Sequence, residues 1–131
     1  MKIDRILNPG LIAQIAAIGH TEYLVIADAG LPIPKGPQVI DLSLVRGIPS
    51  FLQVLDAVNS ELVSEGYILA GEMSTQNPDL HKQVQARMAG KTGRSVSHEA
   101  FKELTKSAKV VVRTGETTPD ANIILVAGVN F

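Results

Sequence analysis

The chain has 131 residues, a formal net charge of -1, 45% hydrophobic and 19% charged residues, and no cysteine. That composition describes one globular domain over residues 1–131 with an aliphatic core, since aromatics are only 4% and Trp is absent. It excludes a disulfide framework, thiol catalysis and cysteine-ligated zinc, and the near-neutral charge without a basic cluster gives no footing for nucleic acid or an anionic membrane.

Asn8-Pro9 opens the first predicted helix, which runs to Ile18 and stops at Gly19. Asn is a good N-cap, Pro suits the first helical position, and Leu11, Ile12, Ile15 and Ile18 share a face. Tyr23–Ala27 is a continuous apolar run and reads as a strand buried on both faces, ending in an Asp28-Ala29-Gly30 turn. Leu31–Pro37 is a proline-rich loop, and Val39–Leu42 is a second strand. Helical spacing of Phe51, Val54, Leu55, Val58 and Leu62 predicts a long helix from Ser50 to Glu65, stopped by Gly66. Tyr67–Ala70 is a third strand.

Asn77-Pro78-Asp79 opens another helix with Leu80, Val84 and Met88 inward, and Gly90 ends it. Gly90-Lys91-Thr92 has the letters of a phosphate-loop ending. The glycine that motif needs further upstream would fall inside the helix, so the segment reads as a helix stop. Arg94–Val96 is a short strand, and Ser97 caps a helix with Phe101, Leu104 and Ala108 inward. Val110–Val112 and Ile123–Val126 are the last two strands. The short loop between them predicts antiparallel neighbours, because a parallel return needs a longer crossover. The fold class is therefore α/β: a mainly parallel sheet flanked by helices, with an antiparallel C-terminal strand pair. The apolar ending, Val129 and Phe131, suggests cover by another subunit.

Candidate chemistry gathers at the carboxyl ends of the strands, where open α/β sheets hold their ligands. Asp28 and Asp41 each end a strand; each either serves a ligand or caps its own turn. An antiparallel last strand would bring Asn122, and the loop carrying Glu116 and Asp120, to the edge of Asp28. His98 sits in the first turn of a helix, a poor place electrostatically for an imidazolium. It reads equally as a base or hydrogen-bond partner and as an exposed residue. His81 faces solvent, and His20, after Gly19, reads on its own as a surface residue. Three histidines so dispersed do not make a zinc site.

Several segments resemble the ribose pyranase / fucose mutarotase family in collinear order along the whole chain. They are Ile6-Leu7-Asn8, Gly19-His20-Thr21, Val25-Ile26-Ala27-Asp28-Ala29-Gly30-Leu31-Pro32, Ile40-Asp41-Leu42-Ser43-Leu44, Ser97-His98-Glu99 with Phe101-Lys102, Arg113-Thr114-Gly115-Glu116, and Thr118-Pro119 with Ala121-Asn122. The resemblance implies a cytoplasmic isomerase that interconverts ring forms of a free aldose, D-ribose first among them, with no metal or organic cofactor. It implies His20 as proton donor, and Asp28, His98, Asp120, Ala121 and Asn122 as sugar-contacting positions. It also implies a homo-oligomer built from rings of subunits, a pentamer or decamer, with sites between neighbours. In one place the chain departs from the family, carrying Asp120 where the family has Tyr. A carboxylate offers charge and acceptors where a phenol offers an apolar face. That substitution motivates a second expectation, a sugar-binding protein without catalysis; a nucleotide-binding module is a third. The roles of Lys102, Asp41 and Glu116 are left open. His20 precedes the first strand and Asp28 follows it, about 20 Å away at ~3.3 Å per residue, so a site using both needs a neighbouring subunit or an irregular loop at His20, and the expectation is a site between subunits.

Overall fold

A computed structural model describes residues 1–131. The elements run α1 (Pro9–Ala17), β1 (Tyr23–Ala27), β2 (Gln38–Asp41), α2 (Phe51–Asn59), β3 (Ser64–Ala70), α3 (Met73–Gln76), α4 (Pro78–Arg87), β4 (Thr92–Val96), α5 (His98–Thr105), β5 (Val110–Arg113) and β6 (Ile123–Ala127). The strands form one six-stranded sheet in the order β2-β5-β1-β6-β3-β4. β2, β5 and β1 are parallel to one another, β3 and β4 are parallel to each other, and β6 is antiparallel to both its neighbours.

Alternation along the strands divides the core in two. Leu24, Ile26, Val110, Val112, Ile123 and Leu125 point to the side covered by α1, α2 and α4, where Phe51, Leu55, Val58 and Val84 meet them. Val25, Ala27, Val111 and Ile124 point to the other side, onto Phe101 of α5. Both faces of the central strands are thus dry, which is why these strands read as unbroken apolar runs. No helix is long and apolar enough to cross a membrane.

The helix starts follow their caps. Asn8 accepts the Leu11 N–H at 2.8 Å, and Ser97 accepts the Ala100 N–H at 3.1 Å. Ser50 and Gln53 close a reciprocal capping box on α2. Gly90, at φ 84, turns the chain out of α4, as a helix stop should.

Two expectations are corrected. The α2 helix ends at Asn59, not Glu65. Leu62 does continue the helical spacing, and its N–H reaches the Val58 carbonyl at 2.8 Å. Beyond it the backbone is claimed by β6: Gly128 N–H donates to Val63 O at 2.8 Å, and Ser64 pairs with Ala127. The last two strands are antiparallel in direction, yet they are not neighbours. β1 lies between them. The connection 114–122 wraps over the carboxyl end of β1, anchored by Thr114 N–H to Ala27 O at 2.9 Å and Ala29 N–H to Glu116 O at 2.8 Å. A loop that steps across one strand meets the same length limit as a hairpin. The short helical turn α3 is a further element that the sequence reading left out.

Candidate active site

At the carboxyl edge of β1 and β5 lies an open, polar cleft of about 510 Å³, lined among others by Asp28, Gly30, His98, Glu116, Thr118 and Asn122. Asp28 is its best-held side chain. Its Oδ1 accepts the N–H groups of Gly30 at 3.0 Å and Leu31 at 2.8 Å, the turn its position predicts. Its Oδ2 accepts the Asn122 amide at 3.1 Å, and the Asn122 Oδ1 accepts the Asp28 N–H at 2.8 Å. Asn122 is 2% exposed. This two-way clasp fixes the carboxylate and leaves Oδ2 with acceptor capacity for a ligand hydroxyl.

The Arg-Thr-Gly-Glu segment builds the wall. Arg113 donates through Nε and Nη2 to the Ala29 carbonyl at 3.1 and 2.7 Å, holding the turn that carries Asp28. Its Nη1 lies 3.3 Å from Asp41, so Asp41 steadies Arg113 and stands outside the cleft. The hydroxyl and N–H of Ser43, aided by the guanidinium, keep the Asp41 carboxyl below its ordinary range. Thr114 is buried and donates its hydroxyl to Ala27 O at 2.8 Å. Gly115 has no alternative: a Cβ there would strike the Ile48 carbonyl. Glu116 accepts the Phe51 N–H at 2.9 Å and the Thr118 hydroxyl at 2.9 Å, so its carboxylate caps α2. Burial would favour its neutral form, but donors from Phe51, Thr118 and Thr117 outweigh that and hold its carboxyl below the usual value.

His98 reaches the cleft from the first turn of α5. Its N–H donates to Glu72 at 2.9 Å, which satisfies an otherwise free helix-start donor. Its ring Nδ1 is buried without a hydrogen-bond partner. The Asp120 carboxylate lies 3.4 Å from that atom, a charge contact whose geometry is not that of a hydrogen bond. Asp120 itself is in the left-handed region at φ 53, a conformation Asp tolerates better than most residues. Ala121 is fully buried in the core and does not line the cleft. Lys102 pairs with Glu99 at 2.9 Å and lines a separate groove with Pro32 and Pro34.

His20 is elsewhere. It stands at the opposite end of β1, in a second cavity of about 480 Å³ among Ile12, Ile18, Leu62, Val129 and Phe131, with Nε2 2.9 Å from Glu65. Asp28, His98, Asp120 and Asn122 are therefore brought together, and His20 is not joined to them within one chain. Glu72, Glu65 and Arg113 had no assigned role in the sequence. Their signal was position alone, each sitting within or just after a strand. No three His, Asp or Glu side chains converge as a metal ion would require.

The fold and cleft define a class: a small α/β protein whose sheet edge offers a carboxylate, an amide and an imidazole to a hydroxyl-rich ligand. The chain belongs to the RbsD / FucU transport protein family, which it matches over residues 1–130. It is 56% identical to the D-ribose pyranase of Geobacillus thermodenitrificans, across 100% of this chain and 99% of that one. The D-ribose pyranase of Bacillus cytotoxicus is 47% identical over the full length of both. Among solved structures, Bacillus subtilis RbsD complexed with D-ribose superposes with a TM-score of 0.97 at 46% identity, covering 100% of each chain. The fucose mutarotase of Streptococcus pneumoniae, in complex with L-fucose, gives 0.77 at 26% identity, covering 95% of each.

Proposed function

We propose that the chain interconverts the pyranose and furanose forms of free D-ribose by general acid–base catalysis. The observation that carries this reading is the Asp28–Asn122 clasp in a polar cleft that His98 also lines. Opening the pyranose breaks the bond between C1 and the ring oxygen. That oxygen takes up a proton, the anomeric hydroxyl gives one up, and an aldehyde results. Closing through the C4 hydroxyl reverses the transfers, so the cycle consumes no proton and needs only an acid and a base. His20 is the proton donor; Asp28 or His98 receives, and the Asn122 side chain and Asp120 position the sugar.

Because His20 and Asp28 occupy opposite ends of β1, each complete site joins the Asp28 cleft of one subunit to the His20 cavity of another. The working form is a homo-oligomeric ring, pentameric or decameric, in the cytoplasm. Magnetisation-exchange NMR on ribose with catalytic amounts of protein tests this. Exchange between pyranose and furanose signals, reduced about 10²–10⁴-fold in His20→Ala, is the expected result. An active monomer in sedimentation would overturn the shared site. A second reading rests on Asp120, whose carboxylate crowds His98: ribose binding without exchange would assign the chain a binding role.

A further inference from the structure

We infer that Glu65 is the positioning residue of His20, fixing the plane and tautomer of its ring; the inference rests on the proposed role of His20 as proton donor. An isolated ion pair on a surface does little, and these two side chains are 51% and 49% exposed. What sets this pair apart is the backbone on both sides.

His20 sits in a tight turn closed by Glu22 N–H to Gly19 O at 3.2 Å and by Gly19 N–H to the Glu22 carboxylate at 2.7 Å. The next residue, Thr21, is at φ 70, which a β-branched residue rarely adopts. Its N–H is tied to Ala127 O at 2.8 Å. On the facing strand, β3 pairs Ser64 with Ala127 and Gly66 with Val126, so Glu65 is the extra residue of a β-bulge. A bulge re-aims a side chain out of the regular alternation. Two irregularities in separate segments thus converge on one contact, Nε2 of His20 to Glu65 at 2.9 Å.

Glu61, the acidic residue that lines the cavity, does not compete, because it lies 3.4 Å from Lys2. With Glu65 accepting the Nε2 proton, Nδ1 is the atom left to exchange a proton with a sugar. The remaining walls of the cavity are largely apolar, and Glu65 is the hydrogen-bond partner of the ring.

The test uses the full chain with ribose exchange and NMR of the His20 ring nitrogens. Glu65→Ala is expected to lower kcat roughly tenfold with KM within about twofold, the loss of one charge-assisted hydrogen bond. Glu65→Gln, whose amide oxygen still accepts from Nε2, recovers part of it. In the neutral ring, the wild type is expected to show the Nε2–H tautomer alone, and Glu65→Ala a mixture of both. A tautomer unchanged in Glu65→Ala overturns the inference, as does an unchanged kcat where His20→Ala is inactive. Full turnover in His20→Ala would instead sink the reading of His20 as donor, while the ring spectrum still decides whether Glu65 holds it.

Discussion

Replacing Asn122 by Asp changes almost no volume and converts the clasp on Asp28 into two facing carboxylates. The atoms concerned are 3.1 Å apart, which at an effective dielectric of 20 corresponds to about 5 kcal/mol of repulsion. The pair relieves this by taking up a proton. Holding a carboxyl protonated above its ordinary value of about 3.9 costs about 1.4 kcal/mol per pH unit. The affinity of the folded variant for that proton is raised over the unfolded chain. Its stability is therefore nearest to wild type at low pH and is lost as pH rises. Urea unfolding at fixed protomer concentration should give deficits of about 1, 3 and 5 kcal/mol at roughly pH 4.5, 6 and 7.5. A deficit independent of pH, or one below about 1 kcal/mol at the highest pH, would refute the clasp as described.

Two further outcomes follow from the loop 113–122. Glu116 has a depressed carboxyl, so its contribution is present above its ordinary value of 4.5 and lost as pH falls through the lower folded value. Urea midpoints of Glu116→Gln should lie below wild type at pH 7 and converge with it in acid; a constant gap would contradict the capping role. Gly115→Ala forces a methyl into the Val45 and Ile48 backbone and should cost about 2–3 kcal/mol by the same assay. A wild-type midpoint there would mean that the 45–49 turn does not pack on Gly115.

The sequence made the local rules visible and the long-range ones only in part. Asn8 and Ser97 were readable as caps because a cap acts over three residues. Helix α2 was overextended because Leu62 satisfies helical spacing, while the partner that ends the helix, Gly128, is far along the chain. The place of β6 beyond β1 was hidden for the same reason: loop length limits reach but does not choose a side. At the cleft, the ends of apolar strands marked Asp28 and Asn122. Glu72 and Glu116 act on backbone N–H groups of helices they precede or follow at a distance, and such pairings leave no spacing to read.

The order of the sheet bears on how the molecule is made. β6 emerges after the other five strands, yet it lies between β1 and β3. Until it arrives, the chain consists of two separate ribbons, β2-β5-β1 and β3-β4, each ending in an uncovered apolar strand. Open edges of that kind recruit foreign strands. The nascent sheet is thus exposed to aggregation until β6 is added, and insertion of that one antiparallel segment closes both ribbons at once.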